Sequence, residues 1–412
     1  MVKIVVIGGG YCGSTFAFNL APACKEMDVE IVILEKQTFI FHAIAGVRAL
    51  VNSSWVKKLF IPHNCFDKLP NVKIIQAQAD AVSETSVTYR KVLEDGTLSE
   101  TSEECEFTYL VLATGSLYPS PIKPVVGSFT QKAVEEAYTS AYEKIKEAKR
   151  VLIIGGGAVG CEVAGEIKFT YPEKKVQLID SNETLLARPN LKDKFRKKLL
   201  KEMTKMDIDV LLKERLEERL DVSSYETKTL TTVSGTTLES DVQLVCAGTR
   251  PANEFLKSLG GDDILDYNGL IRVKSNFQLK NEQYERIFAI GDASDHPTPK
   301  MAYWGVLQGA HLAKHLANHL KKKGRNLDMP PFQQVKTEAI MVPLGPMNGV
   351  SQLPMFGGMV MGSTTTKLIK STDLFVNQFF KQFKAPVPGT PGHPGKKPDE
   401  TDPEGKTNEG GL

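Results

Sequence analysis

Residues 2–35 read VKIVVIGGGYCGSTFAFNLAPACKEMDVEIVILE, and this stretch decides the fold. Val2 to Ile7 are β-branched apart from Lys3, the composition of a strand covered on both faces. Gly8, Gly10 and Gly13 then complete a G-x-G-x-x-G spacing. The first glycine permits a tight turn and the second lets backbone amides approach a pyrophosphate. The third lets the following helix pack closely on the sheet. A helix starting near Tyr11 offers unpaired amides and the positive end of its dipole to an anion. Glu35 closes the next strand, 22 positions after Gly13, where a carboxylate accepts from both hydroxyls of an adenosine ribose.

The same architecture recurs at 149–180, KRVLIIGGGAVGCEVAGEIKFTYPEKKVQLID. Gly155, Gly157 and Gly160 repeat the glycine spacing, and Asp180 ends the next strand 20 positions after Gly160. Two complete fingerprints are far more specific than one. Asp180 accepts from a free 2′-hydroxyl and repels a 2′-phosphate, so the second site favours NADH, with NADPH as the weaker alternative. Two further strands end in glycine where the chain can pass close to a cofactor. TYLVLATGS ends at Thr114-Gly115, and VQLVCAGTRPAN repeats the pattern with Gly248. RIFAIGDASD ends in Gly291-Asp292, and an Asp there either bonds a ribityl hydroxyl or caps a helix.

The bulk properties are those of a globular protein. The chain has 412 residues, 41% hydrophobic and 24% charged, which suits two or three domains with large cores. A net charge of +2 gives no general reason to expect a nucleic-acid partner. Six cysteines, at 12, 24, 65, 105, 161 and 246, show neither C-x-x-C nor metal-type spacing, as in a reducing compartment. His311, His315 and His319 share one helix face without an acidic or cysteine partner, so no metal is expected. The expected location is cytoplasmic. No signal peptide or membrane-length apolar run is visible, and Val2 stands where N-myristoylation needs glycine.

The expected fold class is α/β, with two Rossmann-like dinucleotide-binding domains and a small C-terminal α+β region. The boundaries are 1–122 with 252–332 for a discontinuous FAD domain, 123–251 for an NAD(P)H domain and 333–384 for the C-terminal region. A Pro/Gly-rich tail, 385–412, is expected to be disordered. Leu374, Phe375, Phe379, Phe380 and Phe383 on the terminal helix should pack within the molecule. Peripheral membrane contact and a homodimer stay open.

These residues together resemble the two-dinucleotide-fold flavoprotein reductases, the class of glutathione reductase and the type II NADH dehydrogenases. FHAIAGVRALV, TYPEKK, TPKMAYWG, GPMNGVSQ and STDLFV narrow the resemblance to the apoptosis-inducing factor 2, or ferroptosis suppressor, group over residues 1 to about 384. The resemblance implies FAD at the first motif, NAD(P)H at the second and a quinone or other small electron acceptor. It places Gly8, Gly10, Gly13, Glu35, Val82, Thr114, Gly115 and Asp292 on FAD. It also places Glu162 at the nicotinamide–flavin junction. Hydride passes from NADH to the flavin, whose developing charge the helix start at Lys300, Met301 and Ala302 would stabilise. Arg48 is expected to pair with Glu162 beside the flavin. Disulfide reductases of this fold carry a cysteine pair soon after the first ribose acid, but residues 36–50 contain none. Electrons must therefore leave directly from the flavin, to quinone, oxygen, a dye or a carrier protein. A DNA-binding death effector is the remaining reading from another class, and the charge balance disfavours it.

Overall fold

The computed structural model describes residues 1–125, 127–322, 327, 329–332 and 337–389. Most of the tail expected to be disordered, from residue 390 onward, lies outside the described residues.

The chain opens with β1 (Val2–Ile7), α1 (Tyr11–Ala23) and β2 (Val29–Glu35). β3 (Phe39–Phe41), α2 (Ala43–Ala49) and β4 (Phe60–Pro62) form a small excursion in which β3 and β4 pair antiparallel. β5 (Val72–Val82), β6 (Ser86–Lys91) and β7 (Glu103–Glu106) form a meander that leads into β8 (Tyr109–Leu112). A short strand, β9 (Ser116–Leu117), leaves this region for α3 (Gln131–Glu147). The second unit runs β10 (Arg150–Ile154), α4 (Ala158–Thr170), β11 (Lys175–Asp180), α5 (Asp193–Lys205) and β12 (Ile208–Leu212). A hairpin, β13 (Lys228–Thr231) and β14 (Thr237–Ser240), precedes β15 (Val242–Val245) and the returning strand β16 (Arg250–Pro251). β17 (Ile287–Ala289) and α6 (Ala302–Lys322) follow. The chain then forms β18 (Ile340–Leu344), β19 (Asn348–Leu353) and β20 (Met359–Met361), and closes with α7 (Ser363–Thr366) and α8 (Val376–Gln382).

Two sheets carry the glycine motifs. The first has the order β17-β8-β1-β2-β5-β6-β7, and the second β12-β11-β10-β15. In each, the strand that enters the glycine turn (β1, β10) lies between two parallel neighbours. One ends in the acid (β2, β11), and the other leads to Thr114-Gly115 or Gly248 (β8, β15). The parallel pairing requires helical crossovers, which cover the strands and explain their continuous apolar sequence.

One core joins all parts of the molecule. Ile4 and Phe16 from the first unit, Ile153 and Ile167 from the second, and Leu344 and Phe380 from the C-terminal segment belong to the same buried cluster. Leu374, Phe379, Phe380 and Phe383 are buried, so α8 spends its apolar face inside the protein. Each such side chain contributes roughly 1.5–3 kcal/mol of transfer free energy. Among the described residues no helix is long and apolar enough to cross a membrane.

Candidate functional site

The two glycine turns have the same construction. A Cβ on Gly8 would lie 2.4 Å from the Ala113 carbonyl oxygen, and one on Gly13 would lie 2.0 Å from that of Gly8. At the second motif, a Cβ on Gly155 would meet the Cys246 carbonyl at 2.9 Å, and one on Gly160 would meet that of Gly155 at 1.9 Å. Gly8 and Gly155 also sit at φ +102° and +117°, which L side chains rarely adopt. Gly10 and Gly157 cap the following helices, and a Cβ on either would meet nothing within 4 Å. Each motif thus presents a tight turn, a helix start and an open approach to its amides, the geometry a pyrophosphate requires. The residues fit a dinucleotide at both places.

The two acids brace these turns. Glu35 Oε2 accepts from the Gly9 amide at 2.5 Å, and its Oε1 accepts from that of Gln37 at 2.9 Å. Asp180 Oδ2 accepts from the Gly156 amide at 2.5 Å, while Oδ1 accepts from the amide and side chain of Asn182. Both carboxylates hold the middle glycine of their loop.

Several other elements converge on the first motif. Cys12 Sγ donates to the Gly305 carbonyl of α6 at 3.0 Å, and it lies 3.3 Å from where a Gly291 Cβ would be. The start of α6, with Met301 and Ala302, therefore stands beside the first glycine turn. Buried Gln308 accepts from the Gly291 amide at 2.7 Å and donates to Thr298, which fixes the loop that carries Asp292. Asp292 accepts from Ser116, and Thr114 Oγ1 donates to Asn253, whose amide in turn bonds the Gly269 and Ala293 carbonyls. Lys300 points its ammonium at the Ser294 and His296 carbonyls, so it holds that loop in place. Burial pushes its pKa down, against the pull of Asp292 and Asp295. The helix begins at Ala302, two residues after the lysine.

His42 adds a strap that sequence reasoning missed. Its Nε2 faces the Leu374 carbonyl at 3.0 Å and its Nδ1 faces the Tyr11 hydroxyl at 2.7 Å. A carbonyl only accepts, so Nε2 carries the proton and Tyr11 donates to Nδ1. Full burial holds the imidazole neutral, with its pKa lowered to about 4. The glycine loop is thereby tied to the C-terminal segment, where Tyr11 also stacks on Phe379 with ring centroids 4.4 Å apart.

The two motifs face each other. Just past Gly115 and Gly248 the chain forms β9 and β16, which pair as Leu117 with Arg250 and Ser116 with Pro251. Tyr118 donates from the first side to the Cys246 carbonyl on the second at 3.0 Å. Burial raises the Tyr118 pKa, and Glu162, in the first turns of α4, adds to that rise.

The expected pairing of Arg48 with Glu162 does not form. Arg48 engages Glu166 instead, with Nη2–Oε1 at 2.7 Å and both Nε contacts at 3.1 Å, and it also donates to the Ser371 and Thr372 carbonyls. Glu162 is paired with Lys370 at 2.7 Å. The two glutamates are one helical turn apart, and the arginine reaches the farther one. Burial raises the pKa of both carboxyls, while Lys370 and Arg48 respectively oppose the rise. Lys370 and Glu166 were absent from the expected site. The i, i+4 acid pair inside an apolar helix, and a lysine within LIKSTDLF, were the signals available.

Val82 also departs from expectation. Within the parallel register Glu35 faces Gln76, and Val82 lies six residues farther along β5, roughly 20 Å away at the usual strand rise. Its amide and carbonyl are both bonded to Ser258, and its side chain is buried. It does not belong to the site. The histidine stripe resolves into packing: His319 bonds the Tyr109 hydroxyl, His311 bonds the Pro330 carbonyl, and His315 stacks on His311.

Comparison with known proteins agrees with this architecture. Residues 2–313 match the family model described as pyridine nucleotide-disulphide oxidoreductase. Apoptosis-inducing factor homolog B of Dictyostelium discoideum is 30% identical over 403 residues, covering 94% of this chain and 98% of that protein. Human ferroptosis suppressor protein 1 is 28% identical over 396 residues, covering 94% and 97%. Among solved structures, the sulfide:quinone oxidoreductase of Aquifex aeolicus superposes with a TM-score of 0.72 at 14% identity, covering 93% of this chain and 92% of that one. The NADH-bound, water-forming NADH oxidase of Lactobacillus brevis gives 0.64 at 20% identity, covering 85% and 75%. FAD and NAD(P)H are the cofactors expected of such a chain. With two dinucleotide folds facing one another and a family match over most of its length, the chain belongs to the pyridine nucleotide-disulphide oxidoreductases.

Proposed function

We propose that this enzyme holds FAD at the first motif, takes hydride from NADH at the second, and passes the electrons to a quinone-type acceptor. The observation that carries the reading is the β9–β16 pairing, which joins the mouths of the two motifs with Glu162 beside them. When bound, FAD supplies the hydride-accepting ring that no side chain here can replace. Gly8, Gly10 and Gly13 would receive its pyrophosphate, Glu35 its ribose, and Thr114, Gly115 and Asp292 the chain between. The amides at Met301 and Ala302 would meet negative charge at the far end, with Lys300 as a positioning residue that fixes the loop before them. Gly155, Gly157, Gly160 and Asp180 would hold NADH, and Gly248 would line its approach.

Glu162 is a buried carboxyl with a lysine partner, able to orient a cofactor amide or hold a proton. Lys370 opposes the rise that burial causes in its pKa, and Arg48 with Glu166 anchors the same helix. All six thiols are free, and burial raises the pKa of each, so none offers a ready thiolate. Transfer directly from the flavin to a quinone therefore suits this chain better than a disulfide relay.

The test is the absorbance of purified protein under anaerobic conditions, with NADH and then a short-chain quinone added. Bleaching by NADH and recovery with quinone is the expected result. Recovery only with oxygen or a carrier protein would discard the quinone. A colourless protein that takes up no FAD would overturn the whole reading.

A further inference from the structure

His63 stands at the mouth of the first motif through a route the glycine spacing does not reveal. β3 begins four residues past Glu35, and its pairing with β4 sets Phe39 opposite Pro62. His63 follows Pro62 directly, so the register carries it back to the level at which the chain leaves Glu35. Burial lowers the imidazole's pKa, and the charge of Glu35 and the backbone of Gly9 oppose that fall.

The polar groups around it already have partners. Glu35 accepts from the amides of Gly9 and Gln37, and the Gly9 carbonyl accepts from Ser14 Oγ at 2.7 Å. His63 Nε2 is the exception, because it is buried and meets no hydrogen-bond partner among the described residues. Leaving such an atom unsatisfied costs roughly 1–3 kcal/mol, and native proteins rarely tolerate it without a ligand, water or ion to take up the bond. At the second motif, a Cβ on Gly156 would meet the Leu185 side chain at 2.9 Å and that of Asp180 at 3.0 Å.

We infer that His63 is a contact of the adenosine ribose of FAD, with Nε2 hydrogen-bonded to a ribose hydroxyl that Glu35 also holds. The inference rests on the first motif being the FAD site. A hydroxyl suits either neutral tautomer, because it can donate to a bare nitrogen or accept from an N–H. Glu35 and His63 together grip one sugar from two chain segments, which a ribose acid alone does not do.

The experiment titrates flavin-free protein with FAD and with FMN, which lacks the adenosine half, and follows flavin fluorescence. His63→Ala should weaken FAD about tenfold, the loss of one hydrogen bond to a buried partner. His63→Asn should restore part of the affinity, FMN affinity should be the same in all three proteins, and the flavin-free melting temperature should not fall. Unchanged FAD affinity in His63→Ala would overturn the inference, as would an equal loss for FAD and FMN. Failure of the wild type to bind FAD would instead bring down the flavin reading, and this inference with it.

Discussion

The two glycine motifs are near copies in backbone geometry and opposites in their surroundings. Both turn at a glycine that tolerates no Cβ, and both tie the middle glycine amide to the acid that ends the next strand at 2.5 Å. The first is enclosed by the Asp292 loop, the start of α6 and the Tyr11–His42 strap to the C-terminal segment. Among the described residues the second has no such strap, and its acid is only partly buried, whereas Glu35 is 8% exposed. Enclosure, rather than the fingerprint, separates a cofactor that stays from one that comes and goes. On the proposed reading, the first motif would retain its dinucleotide and the second would exchange it.

The sharpest break of this comparison adds one methyl group to each copy. Gly13→Ala and Gly160→Ala would each drive a Cβ to about 2 Å from a carbonyl oxygen of the preceding turn. Overpacking against backbone costs 1–3 kcal/mol or more and shifts the helix start away from its turn. Gly13→Ala should purify without flavin colour. Gly160→Ala should keep its flavin yet show no bleaching by NADH in stopped-flow absorbance. A colourless Gly160→Ala protein would mean the two motifs are not separable in this way.

The next effect concerns the buried charges that join the units. Glu166→Gln leaves the Arg48 guanidinium buried without its counter-charge, which should cost about 3–5 kcal/mol in chemical denaturation. Lys370→Met does the same to Glu162 from the other side. Burial already raises that carboxyl's pKa, and loss of the lysine raises it further. A carboxyl with a folded pKa above its unfolded one is least costly when protonated. The variant should therefore lose stability, relative to wild type, as pH climbs past the ordinary carboxylate range. Equal denaturation curves at acid and neutral pH would refute this account of the pair.

The His42 strap gives the opposite sign. A histidine whose folded pKa lies near 4, against an ordinary 6.5, must be neutral to fit. Its contribution is complete above pH 6.5 and is lost as pH falls toward 4, about 3 kcal/mol over that window. His42→Gln should flatten this part of the stability–pH curve and loosen flavin retention at neutral pH. The second motif, which has no such strap, should keep its NADH affinity in the same variant.

The two β-α-β halves were legible because their signals are local: β-branched runs, fixed glycine spacing and an acid about twenty positions on. The clamp around the first motif was not, because it joins segments far apart in the chain. Lys370 meets Glu162 across 208 residues, and His42 meets Leu374 across 332. No local spacing shows which of two acids one turn apart a distant arginine will reach, and so Arg48 was assigned to the wrong glutamate. Val82 failed for a different reason. Its strand continues well past the register partner of Glu35, so a residue near the strand's end lies far from the cofactor end of the sheet.

The smallest effect tests the second motif as an exchangeable site. On the proposed reading Asp180 discriminates by charge, and because it also accepts from the Gly156 amide, deleting the side chain would disturb the loop as well as the selectivity. Asp180→Asn comes nearer to separating the two roles: its amide oxygen can still accept from Gly156 while the negative charge is gone, at the cost of the bonds that Oδ1 accepts from Asn182. Lys213, whose amide bonds the Asn182 carbonyl, stands nearby and is paired with Glu183 at 2.5 Å. With Asp180 neutral, that lysine could turn to a 2′-phosphate. The ratio of kcat/KM for NADH to that for NADPH should fall about tenfold, equivalent to roughly 1.4 kcal/mol of differential binding. Flavin content should stay constant, since the first motif is untouched. An unchanged ratio would mean that selectivity is set elsewhere, and that Asp180 serves the turn alone.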